Sequence, residues 1–175
     1  KGWVSDSFEG MPNYKYMETS TVGQAQANSK GVSDNQKIWV GQLQYPLEMV
    51  QENFKAFGLL NDNVKFLKGF FNDTLPTAPV ERLSLLRLDS DIYVSTYETL
   101  EFMYPKLEIG GYVFFDDFKL KYSRAAILDY RGKHGISEPL YKMEHVGPFF
   151  KDKKACCMDP MAYWQKKKPI ATPPE

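Results

Sequence analysis

The sequence predicts an α/β fold built on a mostly parallel sheet with helices on its faces. Three observations carry this. Helix-like and strand-like periodicities alternate along the chain, two apolar runs read as strands buried on both faces, and carboxylates follow several predicted strands at their carboxyl ends. A length of 175 residues suits one domain with a sizeable core.

Residues 2–5 read as a short strand ending at Asp6. The chain starts inside this strand, which suggests that an upstream part is missing from the sequence. Residues 10–37 are rich in Gly, Ser, Asn and Gln without sustained periodicity and read as a long surface loop. Pro46 then opens a helix with Leu47, Val50, Phe54 and Phe57 at helical spacing, and Gly58 stops it. Residues 63–69 form a strand ending at Gly69, followed by the turn-rich connector "FFNDTLPTAP". Residues 82–89 are a nearly continuous apolar run, the pattern of a strand buried on both faces. Ile92, Thr96, Leu100, Met103 and Leu107 lie near helical spacing, with Pro105 at the end. "GGYVFFDD" is another buried strand introduced by a double-Gly turn, and "SRAAILDYRGKHG" is a helix stopped at Gly135. "EPLYKMEHVGPFFKDK" reads as an antiparallel hairpin turning at Gly147. From 152 onward the chain reads as an extended tail with a solvated Lys166–Lys168 run, so the domain spans 1–151 and the tail 152–175.

The 22 basic and 22 acidic residues balance, which removes any electrostatic argument for nucleic acid or an acidic membrane surface. No apolar run approaches a membrane span, and no signal-peptide pattern opens the chain. Cys156 and Cys157 are adjacent and imply no disulfide framework, in keeping with the cytoplasm or another soluble reducing compartment.

The acids are the informative residues. Ligands of open α/β sheets bind outside the carboxyl ends of the strands, and Asp6, Asp89 and Asp116 all fall at such ends. Past its strand, Asp117 can join Asp116 on one ion, with Asp89 as a third oxygen ligand. An all-oxygen set favours a hard cation such as Mg²⁺, and without a cation at least one of the acids would take up a proton. The competing reading makes Asp91 a helix cap and leaves Asp89, Asp116 and Asp117 as solvated turn residues. Asp6 also suits an acid that holds a ribose hydroxyl pair, although the glycine-rich loop expected before it is absent. Tyr93 stands where it can face the acids from a helix start. His134 suits a helix C-terminus, and His145 either a solvated turn or an acceptor pocket.

The segments "WVSDSFEGMP", "NFKAFGLLNDNVKFLKGFFNDTLPTAP", "LSLLRLDSDIYVSTYETLEFMYPKLEIGGYVFFDDF" and "HGISEPL" together resemble, in the same order, the macrocin O-methyltransferase family. Its members are S-adenosylmethionine- and Mg²⁺-dependent methyltransferases acting on sugar hydroxyls of natural products. The resemblance covers residues 2–150 and is most specific over 82–118. It implies a Rossmann-like methyltransferase sheet whose first, central strand is missing from this sequence, between the strands that end at Asp6 and Asp89. It implies Asp89, Asp116 and Asp117 as metal ligands and Asp91 as general base. It implies Asp6, with Ser7 beside it, as the acid that holds the cofactor ribose, and Phe71, Asn72 and Asp73 near the adenine. The acceptor is then a small-molecule hydroxyl. Ser90 stands where the family usually has Gly. A gap in the sheet calls for completion by an upstream segment, by another protein chain or in a homo-oligomer. The alternative reading is a non-catalytic, methyltransferase-like structural subunit of a larger assembly.

Overall fold

The computed structural model describes residues 1–12, 43–143 and 161–170. Most of the loop expected over 10–37 lies outside these residues, as do His145, Gly147 and the cysteine pair. The chain divides into two compact units, Lys1–Ala78 and Pro79–Glu175.

In the first unit β1 (Gly2–Asp6) pairs in parallel with β2 (Val64–Lys68), from Gly2 opposite Val64 to Asp6 opposite Lys68. The helix α1 (Leu47–Ala56) begins after Pro46 and ends at Phe57, with Gly58 in the left-handed region at φ 68°. Phe54 of α1 packs edge-on against Phe66 of β2, ring centres 5.5 Å apart. The connector after β2 contains a single helical turn, α2 (Phe71–Thr74). Gly69, just before it, has φ 139° and would place a Cβ 2.8 Å from Thr74 Cγ2, so the bend admits only glycine.

In the second unit β3 (Leu83–Leu88) leads through α3 (Tyr93–Met103) and a 3₁₀ turn at Tyr104–Lys106 into β4 (Leu107–Phe115). Then follow α4 (Lys121–Lys133), β5 (Tyr141–Met143) and β6 (Met161–Gln165). The sheet order is β3-β4-β6-β5, with β3 and β4 parallel and β6 antiparallel to both its neighbours. The α/β class holds, with a mixed sheet. Leu86, Leu88, Val113, Phe115, Ala162 and Trp164 of the sheet are buried, as are Val94, Leu100 and Met103 of α3 and Ala126, Ile127 and Tyr130 of α4. Alternation along each strand puts these sheet residues on one face. No helix among the described residues is long and apolar enough to cross a membrane.

Three expectations change. The apolar runs of β3 and β4 are buried on one face only: Leu85 and Ile109 are 55% and 59% exposed. A continuous apolar run marks a strand that can be covered twice, and within this unit Trp164 meets Tyr104 and Arg131 on the helical side alone. The antiparallel strand β5 exists, and the partner seen among the described residues is β6, a strand from beyond the expected hairpin, whose own second arm lies outside those residues. The stretch expected as a loose tail contains β6, which lies inside the sheet. Alternation was its unread signal: Ala162 and Trp164 are fully buried, and Trp164 stacks on Phe115 at 4.8 Å and donates Nε1–H to the Tyr104 hydroxyl at 3.0 Å. Lys166 continues the alternation inward. Its Nζ donates to the carbonyls of Tyr104, Pro105 and Leu107 at 3.1, 3.3 and 2.6 Å, capping the end of the 3₁₀ turn, and burial lowers its pKa.

The β3–β4 ladder has an irregularity between Leu83 and Leu85, which pair with Leu107 and Tyr112. Gly111 sits there, and a Cβ would lie 2.9 Å from Glu108 O and 3.0 Å from Ser84 O. Gly111→Ala is therefore expected to lower stability by about 2 kcal/mol in urea denaturation. Gly132→Ala, in the last turn of α4 with nothing within 4 Å of the added Cβ, is expected to raise it slightly, by up to about 0.5 kcal/mol.

Candidate active site

The pairing of Leu88 with Phe115 brings the ends of β3 and β4 level, so Asp89 and Asp116 follow side by side. Asp116 N–H donates to Leu88 O at 2.9 Å, extending the ladder by one residue. Asp117 then turns across to the chain leaving β3. Its Oδ2 accepts the backbone N–H groups of Ser90 and Asp91, each at 2.9 Å. Between these contacts the chain makes a three-residue turn: Ile92 N–H donates to Ser90 O, with Asp91 at its centre at φ 57°. Aspartate is among the few non-glycine residues that take this left-handed conformation readily.

Asp91 is therefore no helix cap. The residue that flanks α3 is Ile92, without a side-chain cap bond. Ser90 is anchored on its other side. Its Oγ shares a hydrogen bond with Thr96 Oγ1 at 2.9 Å, and the Thr96 hydroxyl donates to Ser123 Oγ at 3.3 Å. This chain of hydroxyls ties the turn to α3 and α4, a link that glycine at position 90 would not make.

Sequence reasoning passed over Arg87. It lies two residues before Asp89, so both side chains leave β3 on the same side; that spacing was the available signal. Arg87 Nη2 donates to Asp89 Oδ2 at 3.0 Å and to Asp116 Oδ2 at 2.7 Å. One guanidinium thus bridges the two strand ends.

Four carboxylates, Asp89, Asp91, Asp116 and Asp117, gather at this edge. Burial, then the charges of Asp117 and Asp89, push the half-buried Asp91 up to about 7. Asp117 is also raised, chiefly by burial, although the N–H groups of Asp91 and Ser90 oppose the shift. The donor set is all oxygen, the right chemistry for a hard cation. Its directions differ from a closed cage: Asp117 holds the turn, and Asp89 and Asp116 hold Arg87. Accordingly, no group of three or more His, Cys, Asp or Glu among the described residues is arranged to hold a metal ion.

Tyr93 turns away from the acids. Its hydroxyl donates to Asp129 Oδ2 on α4 at 2.9 Å, and its ring stacks on Tyr97. His134 caps the end of α4, buried against Tyr130 and 3.6 Å from Glu101 Oε2.

In the first unit, Asp6 and Ser7 build the loop after β1. Asp6 Oδ1 accepts Phe8 N–H at 2.5 Å; Ser7 Oγ accepts Glu9 N–H at 3.1 Å and donates to Gly10 O at 3.0 Å. Gly69 N–H donates to Asp6 O at 3.0 Å, which brings the lead-in to α2, with Phe71, Asn72 and Asp73, to the carboxyl end of β1.

A model of the macrocin-O-methyltransferase (TylF) family matches residues 1–152. The 8-demethyl-8-(2,3-dimethoxy-alpha-L-rhamnosyl)-tetracenomycin-C 4'-O-methyltransferase of Streptomyces olivaceus is 44% identical over 151 residues, covering 85% of this chain and 54% of the relative. The mycinamicin III 3''-O-methyltransferase of Micromonospora griseorubida is 38% identical over 149 residues, covering 85% and 56%. The demethyldecarbamoylnovobiocin O-methyltransferase of Streptomyces niveus is 37% identical over 153 residues, covering 85% and 53%. The chain spans about half the length of these curated relatives. Among solved structures, the O-methyltransferase NovP is 34% identical with a TM-score of 0.73, covering 95% of this chain and 60% of that one. The calicheamicin methyltransferase CalS11, at 20% identity and a TM-score of 0.56, covers 93% and 59% and shares the fold.

A carboxyl raised from 3.8 to about 7 holds its proton more tightly in the folded than in the unfolded chain. Its stabilisation is complete below the unfolded value and is lost as pH rises through the folded one. The full shift would correspond to about 4 kcal/mol; solvent screening of this partly exposed group reduces it, so without divalent ions the protein is expected to lose roughly 2 kcal/mol between about pH 4 and about pH 8. Urea denaturation at the two pH values checks this, and Asp91→Asn should remove that part of the slope.

Proposed function

The chain belongs to the macrocin O-methyltransferase family, and on that premise we propose that the protein moves a methyl group from S-adenosylmethionine to a small-molecule hydroxyl. The observation that carries this reading is the convergence of four carboxylates at the ends of β3 and β4, one of them with a proton affinity near neutrality. A relative named for 4'-O-methylation of a rhamnosyl-tetracenomycin supports a sugar as bearer of that hydroxyl.

In this reading Asp91 is the general base. With its pKa near 7 it accepts the hydroxyl proton at neutral pH and retains driving force for the transfer. The clasp from Asp117 to the backbone of residues 90 and 91 fixes where that base stands. Asp89, Asp116 and Asp117 are the residues that would hold Mg²⁺. When bound, the ion lowers the pKa of a hydroxyl on it and orients the acceptor. Asp6, with Ser7, would hold the ribose hydroxyls of the methyl donor, and Phe71, Asn72 and Asp73 would lie toward its adenine. The donor's sulfonium already activates the methyl group, so the protein's task is alignment. A further strand would fill the outer edge of β3, which among the described residues pairs with β4 alone.

Calorimetry on the full-length protein is expected to show S-adenosylmethionine binding, weakened about tenfold or more by Asp6→Ala. With a glycosidic acceptor and Mg²⁺, Asp91→Asn should cut kcat by a factor of about a hundred or more, and Asp89→Ala should abolish turnover. Absence of cofactor binding by the full-length protein would overturn the enzyme reading and favour a structural subunit.

A further inference from the structure

We propose that Arg87 is a resident counter-cation of the acidic site, bridging Asp89 and Asp116 in the absence of a divalent ion and giving way when one binds. The inference rests on the magnesium reading above and adds a competitor to it. Its basis is geometric. A single nitrogen, Nη2, reaches Oδ2 of both carboxylates, at 3.0 and 2.7 Å. Both residues are among those that would ligate the metal, so guanidinium and ion claim the same pair of side chains. Two cations on one carboxylate pair repel, and the repulsion is steepest at contact distance.

Asp89 is nearly as exposed as Arg87, at 49%, so the anchor of the bridge is Asp116. The Arg87 side chain is 55% exposed and that of Asp116 28%. The arginine can therefore swing into water with little loss of packing, while Asp116 stays at the strand end, its N–H in the ladder to Leu88. The counter-charge also has a purpose in the ion-free protein. Four acids at one edge repel each other, and the bridge gives Asp89 and Asp116 a positive partner without closing the site to metal. Among the residues the structure describes, Arg87 is thus a device that keeps the site assembled and lowers its affinity for the ion by a fixed factor.

The test uses the full-length protein, with Arg87→Leu and Arg87→Lys as variants. Thermal denaturation is run in chelator and in saturating Mg²⁺, and Mg²⁺ binding is measured by calorimetry. Arg87→Leu is expected to lower Tm in chelator, to recover much of the loss in Mg²⁺, and to bind the ion about tenfold more tightly. Arg87→Lys, which keeps the charge without the planar fork, should fall between wild type and Arg87→Leu on both measures and remains informative if the leucine variant fails to fold. Equal Tm losses with and without Mg²⁺, together with unchanged or weaker binding, would overturn the counter-cation and leave the magnesium reading standing. Binding by Arg87→Leu where wild type shows none would uphold it in its strongest form. Failure of every variant to bind Mg²⁺ would sink both.

Discussion

One oxygen of Asp117 holds the acidic edge together. By accepting two backbone N–H groups from the turn after β3, it joins strand ends that are also linked by their ladder and by the Arg87 bridge. Hydrogen bonds to a charged acceptor are roughly twice as strong as neutral ones, and here two of them converge on one atom. The left-handed backbone at Asp91 and the entry into α3 at Tyr93 lie next to the two N–H groups that this oxygen accepts.

The edge is an arrangement of like charges kept together by three different means. Arg87 supplies a formal positive charge to Asp89 and Asp116, peptide N–H groups supply partial charge to Asp117, and Asp91 responds by holding its proton. All answer the same repulsion: Asp89 and the half-buried Asp116 meet the Arg87 guanidinium, Asp117 meets backbone dipoles, and Asp91 takes a raised proton affinity. Like charges gathered at one edge beside a left-handed aspartate single these residues out as the candidate site.

Much of this was legible from the residues. Strand ends could be read from apolar runs and glycines, and topology alone predicts that Asp89 and Asp116 share an edge. What could not be read is direction. Nothing in "LDSD" distinguishes a helix cap from a turn pinned by a carboxylate 26 residues later. Arg87 was visible only as one polar break in an apolar strand, because its partner Asp116 comes from the next strand. β6 was hidden by its neighbours: lysines and prolines after Gln165 dominate the composition, while the inward alternation of Ala162, Trp164 and Lys166 is too short to stand out. Burial on the second face of β3 is a property of what packs there, which the strand's own residues do not encode.

The place of β6 has a consequence for the order in which the molecule is made. Its residues leave the ribosome after those of β5, yet they lie between β4 and β5 in the sheet. Until then β5 lacks the neighbour it has among the described residues, the indole that stacks on Phe115 is missing, and the carbonyls around Pro105 lack their lysine. The acids of β3 and β4 are already synthesised by this time, on a ladder whose outer side is open. Vectorial synthesis thus makes the acidic edge early and locks the sheet beneath it late, so that a nascent chain spends its wait for Trp164 with an unfilled core.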